Sequence, residues 1–180
     1  MPKDHGPPPQ HLVDFVRGLA PCDRALDIGC GDGRLTGELR CGHVSAADVS
    51  AVALERARRR LPEADVVQLQ PDEPLPLPDS AFDLVLCANT LEHVRDVQLL
   101  VSEARRVLQP RGRLAVATPA HGRLSGLAVL ARGFEREFDP LSPHLRFFTR
   151  RSLARLLADL GFEVESLRRS GRDLLAVARR

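Results

Sequence analysis

A chain of 180 residues that is 43% hydrophobic is long enough to bury one substantial core and too short for two ordinary domains. Its formal net charge of +2 is too small to signal nucleic acid binding, and no apolar stretch approaches the length that spans a bilayer. Basic clusters such as Arg58, Arg59 and Arg60, or Arg150 and Arg151, read as solvated helix faces or helix starts.

Residues 1–9 carry no apolar signal core and are expected to form a disordered lead, with a single ordered domain over 10–180. Residues 12–19 read as a brief helix and 25–28 as the first strand. The stretch 33–42 leaves room for barely two helical turns before an apolar run, 43–47, that forms the second strand. A helix over 51–61 ends at Pro62, and strands follow at 65–69 and 82–87. Within 96–108, Val97, Leu100, Val101, Ala104, Val107 and Leu108 recur at helical spacing and stop before Pro110. A strand at 113–117, a helix at 152–160 closed by Gly161, and strands at 162–167 and 173–178 complete the chain. Strand–helix alternation predicts a parallel sheet with helices on both faces. The short turn at Ser170 and Gly171 predicts that the last two strands pair antiparallel. Cys22, Cys30, Cys41 and Cys87 have neither paired nor metal-ligand spacing. With no export signal, reduced thiols in a cytoplasm are expected, and no metal site.

Residues 26–33 read Leu-Asp-Ile-Gly-Cys-Gly-Asp-Gly. An apolar strand ends on Asp27 and runs into Gly29, Gly31 and Gly33, which supply unusual backbone angles and let a ligand lie against bare peptide. The dinucleotide fingerprint needs its third glycine three positions after the second, where this chain has Arg34. An acid two residues ahead of the first glycine favours a ligand with a sulfonium and an amino acid tail over a pyrophosphate. Asp48 ends the second strand, where a carboxylate faces the crevice and can accept both hydroxyls of a ribose. The competing role is a cap on the next helix, but Ser50 suits that cap and leaves Asp48 free.

With LDIGCGDGR, AADVS, LPLPDSAFDLVLCANTLEHV and LQPRGRLAVATP in this order, the chain resembles the class I S-adenosylmethionine-dependent methyltransferases, in their small-domain, type 11-like branch. The resemblance runs over 25–117 and again over 144–178, where HLRFFTRRSLARLLADLGFEVESL is similar to the family's last helix and strand. It implies a single-domain α/β, Rossmann-like methyltransferase fold. Seven strands would form a mostly parallel sheet, with an antiparallel last strand inserted beside the fifth and helices on both faces. It also implies S-adenosylmethionine as cofactor, among Asp27, Gly29, Cys30, Gly31, Gly33, Asp48, Val49 and Asn89. Two departures stand out: the short stretch 33–42, and Pro71 where the family places an acid beside the adenine. Asp72 then either accepts from the adenine amino group or faces water.

Methyl transfer from a sulfonium is a displacement in which positioning matters most, and a base is needed only for a poorly nucleophilic acceptor. His93, after the fourth strand, is the first candidate base; the competing role is a helix-start residue bonded to nearby backbone. The connection 119–148 is long for a compact domain and holds four of the seven phenylalanines. It is expected to cover the acceptor site, with His121, Phe134, Phe138 and His144 as candidate contacts. The expected reaction is methyl transfer to a small organic acceptor, with oxygen preferred over nitrogen or carbon, in a possible homodimer. The alternative is a degenerate methyltransferase fold that serves as a non-catalytic scaffold.

Overall fold

The computed structural model describes residues 6–122 and 142–180. Its seven strands are β1 (Cys22–Ile28), β2 (Cys41–Asp48), β3 (Asp65–Gln68), β4 (Phe82–Ala88), β5 (Leu108–Pro119), β6 (Glu163–Ser170) and β7 (Asp173–Arg179). The helices are α1 (Gln10–Arg17), α2 (Ala51–Arg60), α3 (Val97–Val107) and α4 (Arg150–Asp159). The strands lie in the order β3-β2-β1-β4-β5-β7-β6. Pairings from β3 across to β5 are parallel, and β7 is antiparallel to both its neighbours, β5 and β6. This is the sheet expected from the sequence, with the last strand inserted beside the fifth.

Two-residue alternation divides the strands between two cores. Leu26, Ile28, Val85, Cys87, Leu114 and Val116 face α3 and α4, which contribute Val97, Val101, Ala104, Leu153 and Leu157. Ala25, Leu84, Leu86, Ala115 and Ala117 face the other way, against Leu12, Phe15 and Val16 of α1. On that same face, Ala46 packs with Leu54 and Ala57 of α2. A sheet covered on both faces leaves its strand ends as the place for a ligand, and the order reverses between β1 and β4.

Three local expectations are corrected. The stretch 33–42 forms no α-helix, only a single 3-10 turn at Thr36–Glu38, because Leu39 already adopts an extended conformation leading into β2. β5 starts at Leu108, five residues earlier than its apolar core suggests, through a register shift in its pairing with β4, where Phe82 pairs with Leu108 but Leu84 with Arg113. Among the described residues of the lead, Gly6 accepts from Arg34 Nη1 (2.7 Å), and Pro7, Pro8 and Pro9 line a hollow beside the glycine turn. Proline's fixed φ makes such ordering cheap in entropy. Finally, Cys22 and Cys41 form a disulfide rather than two free thiols. Parallel pairing of β1 with β2 sets the two cysteines directly opposite each other, a register that their spacing in the chain cannot reveal. Cys30 and Cys87 remain free and buried. Among the described residues no helix is long and apolar enough to cross a membrane.

A disulfide closing a segment with a sequence separation of 19 stabilises a fold by roughly 3 kcal/mol. Oxidised protein should therefore melt several degrees above the same protein treated with a reductant, and Cys22→Ser should melt with the reduced form whether or not reductant is present. Peptide mapping without reductant should recover the 22–41 linkage, and two unlinked cysteines at these positions would reject it.

Candidate functional site

The glycine turn leaves β1 at the point of strand-order reversal and is sewn to β2 by three hydrogen bonds. Gly29 N and Cys30 N donate to Ala47 O (2.7 and 3.0 Å), and Gly31 N donates to Asp48 Oδ2 (2.9 Å). Asp48 Oδ1 accepts from Ser50 N (2.8 Å), while Ser50 Oγ accepts from Ala53 N and caps α2. Each Asp48 oxygen has two acceptor directions, so one on each remains for a ligand.

The glycines have different jobs. A Cβ on Gly29 would collide with Thr90, whose Oγ1 donates to Ile28 O (3.0 Å) and fixes the start of the turn. A Cβ on Gly33 would come within 2.8 Å of Leu61 Cδ1, so that glycine seats the turn against the end of α2. A Cβ on Gly31 would meet nothing within 4 Å, and at φ +56° its peptide faces open space. Gly29 lines both hollows described below, while Gly31 and Gly33 line neither, and Gly31 is the one of the three with open space over its Cα.

Two hollows meet at Gly29, Asn89 and His93. One, of about 320 Å³, runs past Asp48, Val49, Leu69, Leu75 and Leu99. Val49 is 52% exposed there, an apolar surface offered to a flat ring. The other hollow lies beside Asp27, Cys30 and the prolines of the lead. Leu75 is held in the wall of the first by Glu103 Oε2, which accepts from Leu75 N (2.8 Å). Arg106 grips both oxygens of Glu103 (2.9 and 2.7 Å) and holds that carboxyl below the usual carboxylate range. A further hollow of about 370 Å³, lined by Pro21, Asp83 and Arg111, lies at the opposite end of the sheet and contains none of these residues.

Asp27 is 2% exposed and accepts from Thr36 Oγ1 (2.6 Å). Burial pushes its carboxyl up to about 7, against the pull of Thr36, and the nearby Asp48 charge pushes the same way. Burial also raises the thiols of Cys30 and Cys87, with help from Asp27, so neither is a poised nucleophile.

Of the residues singled out from sequence, Asp27, Gly29, Cys30, Asp48, Val49, Asp72, Asn89 and His93 share this crevice. Asp72 stands at its rim with φ 57° and is ion-paired with Arg95. His93 Nδ1 lies 3.0 Å from Pro143 O, and its ring meets that of His144 edge-on at 4.9 Å. His121 instead meets Phe147, which is exposed, while Phe148 packs into the core. Phe134 and Phe138 lie outside the described residues. Sequence reasoning missed Thr36, Thr90, Arg95 and the buried Glu92, whose Oε2 accepts from Thr118 Oγ1 (3.0 Å). Thr36 and Thr118 sit far along the chain from their partners, so no local pattern marked either pair.

A family described as a methyltransferase domain matches residues 26–116, half of the chain. The chain is 34% identical over 158 residues to a probable S-adenosylmethionine-dependent methyltransferase of Mycobacterium tuberculosis, covering 85% of this chain and 54% of the relative. It is 35% identical over 116 residues to the 27-O-demethylrifamycin SV methyltransferase of Amycolatopsis mediterranei, covering 58% of this chain and 43% of that protein. The chain thus spans about half the length of the curated relatives it matches. Among solved structures, a putative methyltransferase of Bacillus halodurans superposes with a TM-score of 0.79 at 20% identity, covering 95% of this chain and 99% of that one. That likeness shows the fold alone. The chain belongs to the S-adenosylmethionine-dependent methyltransferase family, whose cofactor is S-adenosylmethionine.

The raised Asp27 carboxyl has a signed consequence for the ligand-free protein. Between 3.8, the ordinary value of a free aspartate, and about 7, the folded state holds a proton that the unfolded chain releases. Stability must therefore fall as pH rises through that window, by on the order of 4 kcal/mol at most. Urea unfolding from pH 4 to pH 8 should show Asp27→Asn gaining on the parent as pH rises. Parallel profiles for the two proteins would contradict the buried, proton-holding role of Asp27.

Proposed function

We propose that this chain binds S-adenosylmethionine along the β1–β2–β4 crevice and transfers its methyl group to a small organic acceptor, with oxygen as the preferred site. The observation that carries this reading is the pairing of Asp48 with Gly31. A carboxylate already held by two backbone N–H groups keeps one acceptor direction per oxygen for two ribose hydroxyls, beside a peptide with empty space over it. Dinucleotides fit less well, because Arg34 occupies the position of the fingerprint's last glycine and is bonded to Asp32 and Gly6.

In this reading the adenine lies across Val49, between Leu69 and Leu99, with Asp72 at the rim to accept from its amino group. The amino acid tail points into the second hollow, towards Asp27 and the backbone of Gly29, Cys30 and Asn89. When bound, the sulfonium cofactor supplies an already activated methyl group. The chain's work is then to hold the acceptor in line and exclude water, and such positioning can supply up to roughly 7–11 kcal/mol. His93 borders both hollows and faces the place where acceptor and methyl would meet. The acceptor wall is assigned to residues 119–148, with Phe134 and Phe138 as its apolar contacts. Both flanks of that segment are tied to the crevice edge: His121 N donates to Phe148 O (2.8 Å), and Leu145 N to Glu92 O (2.7 Å). Oxygen is favoured by the rifamycin relative, whose name specifies an O-methyl product. Non-catalytic scaffolding finds no support in a crevice that keeps its acids, glycine turn and apolar wall.

Calorimetry should show saturable binding of S-adenosylmethionine and S-adenosylhomocysteine, and none of a reduced nicotinamide dinucleotide. Gly31→Val, which puts a branched side chain into the open space, should abolish that binding without lowering the melting temperature by more than its strained φ requires. Incubation with labelled S-adenosylmethionine and a panel of hydroxylated small molecules should transfer label, and the Gly31→Val protein should transfer none. Comparable affinity for the nicotinamide, or a Gly31→Val protein that binds like the parent, would overturn the reading.

A further inference from the structure

Glu92, His93 and His144 converge at the mouth of the crevice. One ligand atom from each lies within 4.8 Å of the other two. His93 and His144 were each singled out in the sequence, but their meeting with Glu92 was not, because His144 arrives from the far end of the connection that follows β5. We infer that these three residues form a site for one divalent transition-metal ion of the zinc or cobalt type.

The arrangement around each donor points that way. Glu92 is 2% exposed, and its Oε2 is engaged by the Thr118 hydroxyl (3.0 Å), which fixes the carboxylate and leaves Oε1 turned to the cluster. The carboxylate rarely shifts once buried and bonded in this way. Donation from His93 Nδ1–H to Pro143 O (3.0 Å) leaves the Nε2 lone pair free, the tautomer that metal-bound histidines use, with the far N–H on a backbone carbonyl. That Nε2 stands 4.0 Å from Glu92 Oε1, too far for a hydrogen bond and close to the separation of two donors sharing one ion. His144 completes the set, its ring edge-on to His93 at 4.9 Å. Zinc–nitrogen and zinc–oxygen bonds of about 2.0–2.2 Å require the donors to close by roughly an ångström. Two exposed or half-exposed rings can supply that closure by small rotations, while the buried carboxylate stays in place.

Two neutral imidazoles and one carboxylate leave an ion of charge +2 with a net +1 and at least one open position. That position faces the crevice lined by His93 and suits an anionic or ionisable oxygen donor. On the methyl-transfer reading above, on which this use of the ion rests, the acceptor would be an oxygen-donor molecule whose hydroxyl is held and made easier to ionise by the metal. Ion binding itself does not depend on that reading.

The test is titration of chelator-treated full-length protein with zinc chloride by calorimetry, and with cobalt chloride by visible absorption. The site should take one equivalent of either ion, and cobalt should show the intense bands of a low-coordinate nitrogen and oxygen environment. His93→Ala and His144→Ala should each weaken binding by about tenfold or more. His43→Ala, which removes a histidine paired with Asp65 at a separate surface, should leave it unchanged. His144 lies on a surface segment, so its variant should fold, as checked by melting temperature and by affinity for S-adenosylhomocysteine. Absence of saturable binding, or equal affinity in the parent and in the His93→Ala, His144→Ala double variant, would overturn the site. Loss of S-adenosylhomocysteine binding by a parent that still takes up metal would count against the methyl-transfer reading alone.

Discussion

The structure turns on one carboxylate. Asp48 takes the Gly31 N–H from the turn after β1 and the Ser50 N–H from the start of α2, so a single side chain joins the ends of two strands and a helix cap. Without that acceptor, two backbone donors at the crevice would lose their partner, and of the turn's three bonds to β2 only the two to Ala47 O would remain. The same carboxylate also has an electrostatic cost. It stands near Asp27, whose burial disfavours ionisation of that carboxyl, and the Asp48 charge pushes Asp27 the same way. A pair of acids kept this close, one of them near neutral pH in its titration, is stabilised by whatever brings positive charge between them. On the proposed reading, that suits a ligand with hydroxyls at one end of the crevice and a cation at the other.

Much of this was legible in the chain. The strand–helix alternation pointed to the parallel sheet and the short turn to the antiparallel last pair, while the place of the last strand beside the fifth was implied by the family resemblance. The Gly29–Gly33 turn and Asp48 could be read because each stands within a few residues of the strand end that positions it. Ser50 as the helix cap was equally local. What stayed hidden depends on contacts between distant segments. The Cys22–Cys41 bond follows from strand register, the Thr36–Asp27 and Thr118–Glu92 bonds from the fold's closure, and the meeting of His93 with His144 from the path of a long connection. The missing helix between β1 and β2 was half visible: its shortness could be counted, but its collapse to one 3-10 turn depends on how soon β2 must begin.

Both rims of the crevice are controlled by elements outside the common core of the fold. On one side, the proline-rich segment 7–9 lies against the second hollow, anchored by Arg34 to Gly6. On the other, residues 142–148 return along the edge through Leu145, Arg146 and Pro143, bonded to Glu92 and His93. On the proposed reading, strands hold the cofactor face and connections hold the acceptor face. Such a division lets substrate choice vary while the binding of the cofactor is kept.

The most direct measurement is calorimetric titration of Asp48→Ala with S-adenosylhomocysteine, on protein whose far-UV spectrum and melting curve show that it is folded. Charge-assisted hydrogen bonds to two ribose hydroxyls contribute about 1.5–3 kcal/mol each. If Asp48 both orders the turn and holds the ribose, the variant should bind at least about tenfold more weakly than the parent. An affinity equal to the parent's in the folded variant would contradict the account at its centre.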